Sequence, residues 1–348
     1  MRMKNKALYK ASLEKVINAV EISGKSFLIT GASGLIGSCL IDLLMLACGK
    51  GMNNHIYALG RSAKKLEAQF SEYLNSNYFH IVEQDICSPI NDNLNFDYII
   101  HAASNADPIN YAKYPVETMK TNLLGIINVL EYARSHPSCR VELLSTFEVY
   151  GNVGKDEYVE SEVGLLDFNA LRACYPESKR AAETMARCYN DEYNVDVTIS
   201  RLSSIYGPTM AENDSKAHAQ FLRNALAGKD IALKSKGEQK RTYCYVLDAV
   251  TGIFTILFHG KKGEAYNVSN EDSIVTIAEL AQIIAEECNR TVVFDIPSEL
   301  ESKGFSKSQN CILDNRKLRN LGWQAKYNIR EGIKECLSIL SDKCNIIN

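Results

Sequence analysis

No CxxC pair occurs in the 348 residues, and no cysteine sits near a histidine at zinc-finger spacing. Those absences exclude the common structural zinc sites, and no metal is expected. The eleven cysteines are an odd, scattered set. Disulfide frameworks belong to small secreted chains, so reduced and mostly buried thiols in a cytoplasmic protein are expected instead. No apolar run reaches the ~20 residues that span a bilayer, and no membrane association is expected. The start, "MRMKNKALYKASLEKVINAV", is basic but has no unbroken apolar stretch and no small-residue cleavage site. It predicts an amphipathic helix, not a signal peptide. Charge of one sign is lacking too: 39 Lys and Arg against 42 Asp and Glu leave a net charge of −3. That balance gives no case for a nucleic-acid partner. No internal repeat or low-complexity tract appears.

What is present is an alternation of short apolar runs and helical patterns. "SFLIT" (26–30) precedes the helix "IGSCLIDLLMLACG", and "HIYALG" (55–60) precedes "SAKKLEAQFSEYL". "FHIVEQDI" (79–86) and "FDYIIHAAS" (96–104) read as strands, with a helix over 116–135 after them. "RVELLST" (140–146), a helix from about Pro176 to Tyr193, and a strand over "VDVTISRLSSIYG" (195–207) continue the series. Strand and helix repeated this way predict a parallel sheet covered on both faces. After "YGP" the pattern changes. "SKAHAQFLRNALAGK" and "VTIAELAQIIAEEC" read as helices, "IALKS" and "TVVFDIP" as strands, and "YCYVLDAVTGIFTILFHG" as a helix returning to the sheet. The expected architecture is α/β: a Rossmann-type doubly wound parallel sheet with a smaller, discontinuous C-terminal substrate-binding domain. Its parts are a helical extension over 1–23, a nucleotide-binding domain over 24–205 plus about 242–262, and a small domain over 206–241 and 263–348.

The stretch "FLITGASGLIGSCL" (27–40) carries Gly31, Gly34 and Gly37 at equal spacing, between a strand and a helix. In that setting Gly31 lets the chain turn off the strand, and Gly34 lets a pyrophosphate approach the backbone. Gly37 lets the helix pack close. The helix N-terminus then offers free N–H groups and partial positive charge to phosphates.

This G-x-x-G-x-x-G spacing is similar to that of the short-chain dehydrogenase/reductase superfamily, in its extended branch of nucleotide-sugar epimerases and dehydratases. "TGASGLIG", "QDI", "HAAS", "STFEVYG", "YPESK", "RLSSIYGP" and "GEQKRTYCYVLDA" fall in that family's order. The resemblance covers the chain after about residue 24. It implies a bound NAD or NADP, held by Gly31, Ser33, Gly34, Leu35, Ile36 and Gly37. It also implies that Asp85 and Ile86 flank the adenine, that Ala102, Ala103 and Ser104 line the cofactor, and that Asn122 contributes from the central helix. At the end of the second strand, "LGRS" has no acid for a ribose hydroxyl. Arg61 with Ser62 could hold a 2′-phosphate instead, or Arg61 could stack on adenine, so both cofactors stay open.

Tyr175 and Lys179 in "YPESK" are four apart, which puts both on one helix face. A free tyrosine has a pKa of about 10, and a nearby ammonium favours its phenolate form. Pro176 fits the first helical turn. By resemblance, Thr146 bonds the sugar 4-oxygen at the end of "VELLST", and both Tyr175 and Lys179 also touch cofactor. The same resemblance makes Glu148 the acid/base that follows C4 oxidation. Phe147 stands where dehydratases carry an Asp and where decarboxylases carry a Ser. "RACYPESKR" and "GEQKRTYCYV" are similar to UDP-glucuronate decarboxylases, in which the arginine matching Arg241 contacts the nucleotide diphosphate. Ser204 replaces a substrate-touching Asn. The expectation is an enzyme that oxidises C4 of a nucleotide-diphosphate sugar, with a UDP-sugar favoured. Hexuronate decarboxylation and 4-epimerisation lead, and 4,6-dehydration follows. A non-catalytic NAD(P)-binding sensor is the rival, though such sensors typically lose the Tyr/Lys pair kept here. A homodimer is expected through the helices of "LLGIINVLEYA" and "AAETMARCY".

Overall fold

A computed structural model describes residues 3–295 and 310–341. The end of "TVVFDIP" and the outer limits of the first and last expected segments lie outside the described residues. The chain runs α1 (Lys6–Glu14), β1 (Ser26–Thr30), α2 (Leu35–Gly49), β2 (His55–Gly60), α3 (Ala63–Gln69), β3 (Phe79–Glu83) and β4 (Tyr98–His101). It continues through α4 (Pro108–Lys113), α5 (Pro115–Ser135), β5 (Arg140–Thr146), β6 (Glu157–Tyr158), α6 (Cys174–Tyr193), β7 (Asp196–Leu202) and β8 (Ser204–Tyr206). The remainder is α7 (Ala217–Leu226), β9 (Ile231–Leu233), β10 (Lys240–Tyr245), α8 (Val246–His259), β11 (Ala265–Val268), β12 (Ile274–Thr276), α9 (Ile277–Glu287), β13 (Val292–Phe294) and β14 (Ile312–Leu313). A last described helix spans Ile329–Leu340.

Seven of these strands form one parallel sheet in the order β11-β7-β5-β4-β1-β2-β3. Successive side chains of a strand face opposite ways, and both faces here are apolar. Phe27 and Ile29 join a core with α2 and α8, whereas Leu28 joins a second core with α5 and α6. This is the doubly wound arrangement that the alternation predicts. The order runs outward both ways from β1 and β4, so a crevice opens between their carboxyl ends.

The smaller region holds the sheet β12-β10-β8 and the pair β13-β9, with α7 and α9 packed beside them. Its core is continuous with the α2 and α8 side of the main sheet. The N-terminal helix is capped by Asn5, whose side chain accepts from the Leu8 amide at 3.0 Å. Its buried Tyr9 and Leu13 belong to that same core. No helix among the described residues is long and apolar enough to cross a membrane.

Several boundaries differ from the sequence expectation. The strand over 195–207 breaks at Ser203, whose amide closes the main-sheet ladder on the Val268 carbonyl at 3.0 Å. Beyond it, Ser204–Tyr206 leaves to pair with Tyr243–Tyr245. "YCY" is therefore strand, and the returning helix begins at Val246. Likewise Ile274–Thr276 is strand, because Thr276 and Glu279 form a capping box that starts the next helix at Ile277. Ala265–Val268, assigned above to the small domain, is instead the edge strand of the main sheet beside β7. "QDI" lies outside β3, in a turn where Asp85 Oδ1 accepts from the Cys87 amide.

Candidate active site

The glycine turn sits at the β1/β4 crevice. Gly31 has φ +65°, and a Cβ there would lie 2.8 Å from backbone atoms of Ala102 and Ala103. A Cβ on Gly37 would lie 2.5 Å from the Gly31 carbonyl oxygen. Both glycines are thus demanded by the protein's own packing. Gly34 differs: its backbone is extended (φ −80°, ψ 172°), and no side chain caps the helix that follows. Backbone N–H groups of Leu35 and Ile36 open that helix, beside a surface without side-chain bulk. A helix start of this kind is a ready place for a phosphate, and Gly31, Ser33, Gly34, Leu35, Ile36 and Gly37 are the residues that could hold the cofactor there.

Ala102, Ala103 and Ser104 follow directly from β4. The Ala103 amide donates to Thr30 Oγ1 at 3.1 Å, and Thr30 Oγ1 lies 2.9 Å from His101 Nδ1. Burial, and then the charge of Lys179, push the His101 pKa down to about 3. The imidazole is therefore neutral, and its hydrogen bond with the Thr30 hydroxyl pins the crevice floor. Asn122 is buried. Its Oδ1 accepts from the Ser104 hydroxyl at 2.7 Å, and its Nδ2 donates to Ser178 Oγ at 2.8 Å. It ties the β4 end to the residue before Lys179. Ile86 is buried, whereas Arg61 and Asp85 are exposed at the far end of the crevice. Ser62 Oγ caps α3 by accepting from the Lys65 amide.

Thr146, Glu148, Tyr175 and Lys179 come together where β5 ends. Thr146 is the last strand residue and caps the short turn Phe147–Tyr150. α6 begins at Cys174, so Tyr175 and Pro176 lie in its first turn, and Tyr175 and Lys179 are both buried. The Thr146 hydroxyl and the Glu148 carboxylate both act on the Tyr175 phenol. Burial, and next the Glu148 charge, push the phenol well above its ordinary pKa, while the Thr146 bond pulls it back.

One expectation is corrected here. Lys179 Nζ donates to the Leu144 carbonyl at 2.8 Å, and it is not among the groups that set the Tyr175 pKa. The spacing aligns the two residues along the helix, but the ammonium donates to the Leu144 carbonyl near the strand end. Burial lowers the Lys179 pKa to about 8.

Glu148 is ion-paired to Arg172 at 3.4 Å. Burial raises its pKa, and Arg172 and then Arg241 oppose that rise. Phe147, Ser204 and Arg241 line one small cleft with Cys311, and the Arg241 guanidinium sits 5.5 Å from the Phe147 ring centre. Two flanking groups had no sequence signal. Tyr111 stacks on Tyr175, with ring centres 5.3 Å apart and planes 9° apart. Glu183 is locked to Arg201 and accepts from the Ser145 hydroxyl beside Thr146. "DPINYAKYP" does announce a helix start, with Asp107 as cap and Pro108 after it. Nothing in its spacing ties Tyr111 to a residue 64 positions on.

A sequence profile described as the NAD dependent epimerase/dehydratase family matches residues 27–269. UDP-glucuronic acid decarboxylase 6 of Arabidopsis thaliana is 30% identical over 316 residues, covering 89% of this chain and 87% of its own. A dTDP-glucose 4,6-dehydratase structure from Streptomyces venezuelae, with NAD and a nucleotide bound, is 25% identical, with a TM-score of 0.75 and coverage of 90% and 95%. A UDP-glucuronic acid 4-epimerase structure from Bacillus cereus shares the fold at 19% identity, with a TM-score of 0.75 and coverage of 90% and 98%.

Proposed function

The chain belongs to the NAD dependent epimerase/dehydratase family, and from that premise we propose an enzyme that decarboxylates a UDP-hexuronate through transient oxidation at C4. NAD, when bound, accepts the C4 hydride and later returns it. The chain's own groups do the rest. Tyr175 takes the C4 hydroxyl proton and Thr146 bonds the same oxygen, while Lys179 is the buried cation one helical turn on from Tyr175. A 4-ketone then drains electrons from C5. The C5–C6 bond breaks, its electron pair passes into the C4 enolate, and carbon dioxide leaves. Glu148 delivers the proton that C5 needs. Arg241, beside Phe147 and Ser204, is positioned for the nucleotide diphosphate.

The observation that carries this reading is the make-up of the turn after β5. Glu148 is the turn's one carboxylate, and Phe147 beside it packs under Arg241. A phenyl ring cannot protonate a departing 6-hydroxyl, which argues against dehydration. The relatives near 30% identity are UDP-glucuronic acid decarboxylases. Phe147 in place of that branch's Ser favours one second reading, 4-epimerisation. The second strand ends in "LGRS", with no acid next to Arg61 in sequence, so that residue would admit NADP as well as NAD. The nucleotide retained on the purified protein decides between them.

Incubation with UDP-, dTDP-, GDP- and CDP-sugars in deuterated water separates the outcomes. Decarboxylation gives a product lighter by carbon dioxide and carrying deuterium at C5. Glu148→Gln should lose that label and accumulate a 4-keto sugar or reduced cofactor. An unchanged mass with every uronic acid and no deuterium at C5 would end the decarboxylase reading in favour of epimerisation.

The enzyme is also read as a homodimer joined through α5 and α6. Most of the apolar residues of those helices are used inside the protomer: Ile126, Val129, Leu130, Ala182 and Ala186 lie in its core. The exposed remainder is on the first half of α5, where Val116 and Leu124 are 58% and 42% exposed. A patch of that kind suits a self-complementary contact. Light scattering at micromolar concentration should give twice the chain mass, and a monomer would refute the dimer.

A further inference from the structure

The segment between β8 and α7 is tied at both ends to the main-sheet region. At one end the Thr209 hydroxyl donates to the Leu35 carbonyl at 2.8 Å, where α2 begins, and Met210 is buried in the core beside α2 and α8. At the other end the Ser215 amide donates to Asp107 Oδ2 at 2.7 Å, and the Ile109 amide donates to Ser215 Oγ at 3.4 Å, where α4 begins. The helix α2 follows β1, and α4 follows β4. A chain tied to both helix starts crosses the mouth of the crevice between those strands. Between the ties, Ala211, Glu212 and Asn213 are exposed. The same span carries Lys216, one of the cations that act on Glu148, so it lies beside the catalytic corner.

The two ends are not equivalent. Met210 is held by core packing, and Gly207 just before it sits so close to Val246 that a Cβ would lie 2.4 Å away. That end is fixed. Beyond Met210, among the described residues, the hydrogen bonds from the span to the main-sheet region all run through Ser215. Its partner Asp107 has one oxygen already in use: Oδ1 accepts from the Asn110 amide at 3.0 Å and caps α4. Burial would raise the Asp107 pKa, but the bonds from Ser215 and Asn110 and the Lys216 charge hold it below the ordinary range. The Ser215 bond is therefore charge-assisted. Contacts this few open locally at a small fraction of the cost of unfolding.

We propose that residues 211–216 are a gate over the crevice, latched by Asp107, and that a nucleotide-diphosphate sugar enters and its product leaves only while Ser215 is released. The fixed Thr209 end stays beside the phosphate cradle, so the cofactor is retained while sugars exchange. A latch that touches no ligand changes only the open fraction. Weakening it speeds entry and exit alike and leaves affinity unchanged, whereas loss of a binding contact speeds exit alone. The use of UDP as probe rests on the UDP-sugar reading above.

The test follows fluorescently labelled UDP by stopped flow on cofactor-loaded protein. Asp107→Ser keeps a residue that caps α4 but has a single side-chain oxygen, so it cannot also hold Ser215. Both UDP rates should rise about tenfold, the scale of one hydrogen bond to a charged group. The UDP dissociation constant, the NAD release rate and the melting point should stay as in the parent. Unchanged UDP rates, faster exit alone, or a change in NAD release in place of UDP release would each overturn the gate. The double variant Asp107→Cys with Ser215→Cys decides independently, and also if Asp107→Ser fails to fold. Its oxidised form should trap UDP already bound and exclude UDP added later, and reduction should restore exchange. Exchange at the reduced rate in the cross-linked protein, or failure of the pair to cross-link, would overturn the latch. A parent that binds no UDP overturns the UDP reading alone, and the same rates are then read with labelled dTDP.

Discussion

Tyr175→Phe is expected to lose about 10²- to 10⁴-fold in turnover, the usual cost of removing a general base. The protein should fold normally and bind cofactor as before. The substitution removes one oxygen and keeps the ring, so the stack on Tyr111 at 5.3 Å persists. The lost oxygen is the one that Thr146 contacts and that Glu148 acts on. Burial and the Glu148 charge both oppose a phenolate here, so Tyr175 reaches its basic form only when positive charge is brought to bear. Lys179 is the buried cation one helical turn away, and its ammonium donates to the Leu144 carbonyl. The measurements are product formation under saturating nucleotide sugar and a thermal melt. Turnover near wild type in folded Tyr175→Phe would remove Tyr175 from the chemistry.

Gly34→Val should weaken NAD binding by about 100-fold or more, as expected when two phosphate-to-amide hydrogen bonds are blocked. Three glycines share the motif, but they differ as test sites. A side chain on Gly31 would be strained at φ +65° and would strike Ala102 and Ala103, and one on Gly37 would strike the Gly31 carbonyl. Those two variants should unfold the turn, so lost binding would say nothing about phosphate. Gly34 has a backbone that any residue adopts, and its nearest clash is a 3.2 Å approach to the Gly31 carbonyl oxygen. Valine is a poorer N-cap than glycine, which costs about 1 kcal/mol. The melting point should therefore drop only a few degrees while calorimetry shows the affinity gone. Unchanged NAD affinity in Gly34→Val would show that the turn serves something other than the cofactor.

The sequence by itself determined the sheet and its cradle. Periodicity and turn chemistry are local, so "SFLIT" followed by three spaced glycines and an apolar helix could be read directly. The Tyr175–Lys179 spacing and the Thr146 strand end were legible for the same reason. Motif order supplied the family, which no single motif could. Contacts across the chain were decided by tertiary structure. Ala265–Val268 looks like small-domain sequence, yet β7 offers it an open edge. The break at Ser203 depends on a carbonyl 65 residues later. Lys179 shares a helix side with Tyr175 but donates to Leu144, because a buried ammonium needs an acceptor and the strand carbonyl supplies one. Tyr111 reaches Tyr175 from a separate helix, and Arg172 meets Glu148 across 24 residues. Side-chain partners of that kind follow from how elements dock, and docking leaves no periodic trace in the order of residues.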